Sequence, residues 1–213
     1  MASQLLTSIK LKLKPKKLVE SVMPTTDKYT EDVLRTRYTR YKTNALEDLE
    51  LIRTSGIKFR LANPPEDITE NLIKFIIRNK LGDASCVWAR EAKLPGDLYS
   101  STQKIIEAKS FTSDGPCSFG PKKVFNVIYF LDMRGWLEDR ITLWRVNVSN
   151  ESPAWKAVKM NKTETNEDQC KLGRRPHITW EALHPQLAEY TEKIYEGTFE
   201  DVFDSPTRSL LLP

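Results

Sequence analysis

The chain has 213 residues, enough for one domain with a sizeable core plus an appendage and short for two full domains. With 39% apolar and 29% charged residues it reads as soluble and globular, which excludes collagen-like, coiled-coil and fully disordered classes. A net charge of +4 and a pI near 8.8 permit a polyanionic partner without requiring one.

The first 27 residues read as a basic arm. Ile9, Leu11 and Leu13 alternate with Lys10, Lys12 and Lys14 ahead of Pro15, a pattern that suits a short edge strand or a tail lying on phosphates. No apolar signal-peptide core with a small-residue cleavage site is present there, so the expected setting is cytoplasmic. Residues 30–52 are predicted to be a helix with Thr30 as N-cap and Glu31 and Asp32 in the first turn, where the helix dipole favours anions. Its basic middle, Arg35, Arg37, Arg40 and Lys42 interleaved with Tyr38 and Tyr41, is read as a solvated face ahead of a binding surface. Residues 56–65 form a connector with room for a short strand at 57–61. A second helix is predicted from Asp67 or Thr69 to about Lys80, because Ile68, Leu72, Phe75, Ile76 and Asn79 recur at helical spacing and Gly82 lies just past the end.

After Pro95-Gly96 the period changes. Residues 97–99 and 104–111 read as strands joined by a polar turn at 100–103, and residues 112–121 as a loop rich in Gly, Pro and Ser. Residues 125–131 and 140–148 read as buried strands with a turn at 134–139. The longest largely apolar run, 124–133, falls well short of the roughly 18 to 20 residues of a membrane span. Residues 150–177 are polar and irregular, 179–195 are predicted to form a last helix, and a loose tail is expected after Phe203. This order gives the expected fold class: α/β, a central mixed β-sheet flanked by helices, with an N-terminal helical arm. The expected division is 1–65 for arm and helix, 66–148 for the core and 149–213 for a C-terminal loop and helix. Cys86, Cys117 and Cys170 are odd in number and widely spaced, so free thiols are expected. His177 and His184 without any C-x-x-C pair offer no ready zinc site, and the five tryptophans are expected in the core or at its rim.

Chemistry concentrates in Pro95-Gly96-Asp97-Leu98-Tyr99 and Ile105-Ile106-Glu107-Ala108-Lys109. Alternate side chains of a strand share a face, so Glu107 and Lys109 project together while Ile106 and Ala108 turn into packing. A hairpin returning alongside would bring Asp97 to the same edge. Two carboxylates and an ammonium would then converge, which suits phosphodiester hydrolysis with a hard cation such as Mg²⁺ that takes carboxylate oxygens and keeps waters. Held by Asp97 and Glu107, with the Ala108 carbonyl as a further oxygen, Mg²⁺ would polarise the phosphate and lower the pKa of a water. Lys109 would position that water or help to deprotonate it. The competing reading of these residues is a solvated strand face with a surface ion pair. Glu91-Ala92-Lys93 repeats the triplet, but it lacks the Ile105-Ile106 lead-in and runs into Leu94-Pro95-Gly96, so it is not expected in a strand.

On Asp97 and Glu107-Ala108-Lys109, residues 66–148 resemble the core of the PD-(D/E)XK nuclease superfamily and, within it, type II restriction endonucleases. Gly96 departs from the pattern by parting Pro95 from the first acidic residue, at the least demanding position of the motif. The resemblance implies a restriction-endonuclease-like core, a Mg²⁺ cofactor, and a further metal-facing glutamate on the preceding helix. Glu70 is the match for that glutamate, against an ordinary exposed helix residue. It also implies an enzyme that cuts double-stranded DNA at specific sequences, as a homodimer because one site per chain cuts one strand, with no membrane involved. Residues 149–213 would then serve recognition and dimerisation. Ser113, Ser118, Lys122 and Lys123 could hold phosphates. Arg174, Arg175 and His177, on a loop bounded by Gly173 and Pro176, could reach phosphates or base edges, with at least one arginine expected to read a base. A plain surface loop is the alternative for the segment after Lys109, and for the arginine loop the alternative is that it balances the acidic Glu164, Glu167 and Asp168 nearby. For the whole chain the alternatives are a nucleic-acid-binding protein that does not cut, or a homing, repair or junction-resolving nuclease of the same superfamily.

Overall fold

The computed structural model describes residues 27–204; the alternating Ile9, Leu11 and Leu13 and the tail from 205 onward lie outside the described residues. Thr30 opens α1 (Glu31–Ser55) as its sequence implies, its hydroxyl accepting the Val33 N–H at 3.4 Å with Glu31 and Asp32 in the first turn. The basic middle of α1 is mostly surface, where Arg37 pairs with Asp67 at 2.9 Å and Lys42 with Asp139 at 2.6 Å. Tyr38 is instead buried and stacks on Phe199 with ring centroids 3.8 Å apart. The strand expected at 57–61 does not form. Ile57 is 63% exposed and no strand pairs with this segment among the described residues, so neither packing nor a ladder rewards extension.

The apolar spacing of α2 (Glu66–Lys80) becomes a fully buried face of Ile68, Leu72, Ile73, Ile76 and Ile77. Lys74 shares that burial, its ammonium held by Asp27 and the Tyr29 carbonyl, both at 2.9 Å. The strands are β1 (Val87–Trp88), β2 (Leu98–Ser100), β3 (Lys104–Phe111), β4 (Cys117–Ser118), β5 (Val127–Gly135), β6 (Arg140–Val146), β7 (His177–Ile178) and β8 (Thr191–Gly197). Six of them form one mixed sheet in the order β1-β2-β3-β5-β6-β8, with β3 and β5 parallel and the other neighbours antiparallel. β4 and β7 form a separate two-stranded ladder. Short helices α3 (Ala89–Ala92), α4 (Pro153–Ala157), α5 (Asn166–Lys171) and α6 (Trp180–Leu183) occupy the connections.

The near-continuous apolar run of β5 follows from burial on both faces. Tyr129 and Leu131 join Ile106 and Leu143 under α1 and α2, whereas Ile128 and Phe130 join Phe111 and Val146 under Trp155, Trp180, Leu183 and Leu187. The sequence-based expectation of a central mixed sheet flanked by helices therefore holds, and Cys86, Cys117 and Cys170 are free. No helix among the described residues is long and apolar enough to cross a membrane.

The last helix, expected over residues 179–195, is a correction. It ends after α6 at Pro185, whose missing N–H and fixed φ interrupt the helical ladder, and continues as 3₁₀ turns at His184–Gln186 and Ala188–Tyr190. The remainder is β8, which pairs along β6 with Tyr195 opposite Leu143. A waiting strand edge outweighs the helical composition of that segment.

Candidate active site

Register brings Asp97 to Glu107. Leu98 lies opposite Ile106 in the β2·β3 ladder, and the Asp97 N–H donates to the Ile106 carbonyl at 3.1 Å, so Asp97 stands at the end of β2 beside the middle of β3. The chain arrives there through Gly96 at φ +93°, where a Cβ would lie 2.8 Å from Ile105 Cγ2 and 3.0 Å from the Leu98 carbonyl oxygen. The glycine that parts Pro95 from Asp97 is what lets the backbone approach β3. Gly96→Ala is expected to destabilise the fold by about 1–3 kcal/mol. A Tm equal to that of the unmodified chain would contradict this account of the turn.

Asp97 Oδ2 accepts the Ala108 N–H at 2.9 Å, and Oδ1 accepts Lys123 Nζ at 2.9 Å. In an extended strand the N–H and C=O of one residue face the same side, so the Ala108 carbonyl is on the Asp97 edge of β3. Glu107, 1% exposed, meets two ammonium groups: Lys109 Nζ is 2.6 Å from Oε1 and Lys123 Nζ 2.9 Å from Oε2. Both Glu107 oxygens are buried and are met by ammonium groups alone, with no backbone N–H and no neutral side-chain donor on either. Such oxygens fit a hard cation, which needs lone pairs and negative charge and brings no donor hydrogen. Burial opposes the Lys123 charge, but the hydrogen bond to Asp97, the charge of and hydrogen bond to Glu107, and the charge of Asp97 outweigh it and raise the ammonium's pKa.

Glu70 borders the same space but turns to Trp88, whose Nε1 donates to Oε2 at 2.6 Å. Burial pushes its pKa up to about 7, with the Trp88 hydrogen bond opposing the rise and the charges of Asp97 and Glu66 adding to it. No three His, Cys, Asp or Glu groups cluster at metal-binding distance among the described residues, so Glu70 stands back from the Asp97–Glu107 pair in this arrangement. A folded-state pKa above the ordinary 4.5 means that protonated Glu70 contributes stability fully below that value and loses it as pH rises through about 7. Thermal denaturation in chelator should therefore show Glu70→Gln losing less stability than the unmodified chain between about pH 5 and 8. Identical pH profiles would contradict the assignment.

A cavity of about 390 Å³ opens over these groups, and Glu70, Asp97, Glu107, Lys109 and Lys123 line it together with Ser118 and Arg175. The β4·β7 ladder, with Ser118 opposite His177, ties the loop after β3 to the arginine loop and delivers Arg175 to the cavity. Arg174 is turned elsewhere and pairs with Glu164 at 2.7 Å. Ser113, Lys122 and His177 are exposed and do not border the cavity. Glu91 of the decoy triplet lies on α3 and accepts the Lys28 N–H at 2.8 Å, while Lys93 ends that helix at φ +56°, outside any strand as expected. The inward course of Lys123 and the β4·β7 tie were not readable beforehand, since two-residue strands leave no periodicity to detect.

The match to known proteins agrees with this geometry in extent. The type II restriction enzyme Bsp6I of Bacillus sp. (strain RFL6) is 28% identical over 151 residues, covering 70% of this chain and 76% of that protein. No solved structure matches the chain significantly. The family described as Bsp6I restriction endonuclease matches residues 30–182, a span that runs from the cap of α1 through Asp97, Glu107, Lys109 and the arginine loop to α6. Covering most of the chain and the whole of the carboxylate cavity, that match decides the kinship: the chain belongs to the Bsp6I restriction endonuclease family.

Proposed function

We propose that the chain is a Mg²⁺-dependent, sequence-specific endonuclease that cuts double-stranded DNA from a PD-(D/E)XK site. The observation that carries this reading is the buried Glu107 carboxylate beside Asp97, its oxygens met by ammonium groups alone, under a cavity lined with cations. Membership in a restriction endonuclease family supports the reaction class and DNA as the partner. Bound Mg²⁺ supplies a polarised phosphate oxygen and a water of lowered pKa. Asp97, Glu107 and the Ala108 carbonyl are the groups that would hold it. Lys109, two residues beyond Glu107 on the same strand face, orients the attacking water and exchanges a proton at Nζ. One site per chain cuts one strand, so a two-fold homodimer accounts for double-strand cleavage.

Purified protein incubated with plasmid and Mg²⁺ tests the reading. Discrete bands are expected; a smear would point to an unspecific nuclease, and bound but uncut plasmid to a binding protein.

The arginine loop divides by placement. Arg175 borders the carboxylate cavity, where a scissile phosphate would lie, and Arg174 points outward. Arg175→Ala is expected to weaken binding to all sequences alike and to lower the salt slope by about one. The Arg174 pair with Glu164 is solvent-exposed and weak enough to be exchanged for a guanine edge. Arg174→Ala should cost about 10- to 100-fold on the cognate site and relax the preference at one base pair. Affinities for cognate and random DNA across a salt series separate the two, and indistinguishable variants would overturn the division.

A further inference from the structure

Lys123 stands where a cation shared by the two carboxylates would stand. Its Nζ is 2.9 Å from Asp97 Oδ1 and 2.9 Å from Glu107 Oε2, and among the described residues no other cationic side chain pairs with both. The turn that carries it is fastened at both ends. Phe119 and Phe125 pack on Trp155 with ring centroids 4.9 and 5.6 Å away, and the Lys123 N–H returns to the Gly120 carbonyl at 3.1 Å. The side chain itself is 35% exposed on a flexible stem, so the ammonium can swing toward solvent while the backbone stays in place. A hard divalent cation held by Asp97 and Glu107 would draw on the same negative charge that the ammonium now neutralises, and the two cations would repel.

We propose that Lys123 is a displaceable counter-ion. It holds the cation position between Asp97 and Glu107 in the metal-free enzyme, supplies the positive charge that two neighbouring carboxylates need, and yields the position to the incoming metal. The inference rests on the Mg²⁺ reading above and adds a competition within that site. Only the form with Lys123 swung out accepts metal, so the apparent metal affinity is lowered by the fraction of molecules in that form.

Mn²⁺ binding to the full chain without DNA, followed by electron paramagnetic resonance, reads the competition directly. Lys123→Met is expected to bind Mn²⁺ about tenfold more tightly than the unmodified chain. Lys122→Met removes the same charge from the same turn, where Lys122 is exposed, and should change affinity by less than about twofold because solvent screens it. In chelator the Tm of Lys123→Met should fall, and its rise on adding Mn²⁺ should exceed that of the unmodified chain. Should Lys123→Met fail to fold, Lys123→Gln carries the same expectations. Equal tightening by the Lys122 and Lys123 variants, or no tightening at Lys123, would overturn the competition while Mn²⁺ binding by the unmodified chain left the metal site standing. Absence of Mn²⁺ binding from every form would remove the metal site and the inference with it.

Discussion

Asp97→Ala, Glu107→Ala and Lys109→Ala are each expected to lower plasmid cleavage by about 10³-fold or more, whereas Glu91→Ala and Lys93→Ala leave it within about twofold. Metal-derived charge stabilisation is worth several kcal/mol in the transition state, and each 1.36 kcal/mol is a factor of about ten in rate, so on the proposed mechanism the loss of a carboxylate that would hold the metal, or of the amine that would orient the water, should cost roughly three decades. The control residues bear the same side chains in a different setting. Glu91 caps the backbone N–H groups of Lys28 and Tyr29, a structural task, and does not line the cavity. Its loss should appear in thermal stability ahead of rate. Glu107→Ala also leaves Lys109 and Lys123 facing a buried void, so Glu107→Gln, which keeps the volume, separates a failure of folding from a failure of chemistry. A dead Lys93→Ala beside an active Lys109→Ala would show that the wrong triplet carries the reaction.

Cleavage should be abolished by EDTA and restored by Mg²⁺, while Ca²⁺ restores DNA binding and leaves turnover absent. The reason lies in the oxygen set. Asp97, Glu107 and the Ala108 carbonyl sit on adjacent strands whose register fixes their spacing, and Mg²⁺ needs near-octahedral geometry at about 2.0–2.1 Å. Ca²⁺ takes six to eight oxygens at about 2.3–2.6 Å with loose geometry. It can therefore neutralise the carboxylates and let phosphates approach, but it places a water less well and acidifies it less. Gel-shift and cleavage assays on the same DNA check both halves, and equal cutting in EDTA and in Mg²⁺ would rule out the metal mechanism.

Local pattern alone marked α1 from the Thr30 cap, α2 from its apolar spacing, and β3, β5 and β6 from β-branched and aromatic runs. It also marked Asp97, Glu107 and Lys109, because strand alternation puts Glu107 and Lys109 on one face and a short hairpin connects β2 to β3. These features depend on neighbours a few residues apart, where backbone geometry dictates which side chains share a face. What tertiary structure decided depends on distant partners. β8 takes strand form because the edge of β6 is available to it, and Glu70 turns to Trp88, 18 residues away. Lys123 bridges back 26 residues to Asp97, and Arg175 reaches the cavity through a two-residue ladder between β4 and β7. Periodicity states which face a side chain occupies; the residue it meets there is chosen by packing and charge among segments that only the folded chain brings together.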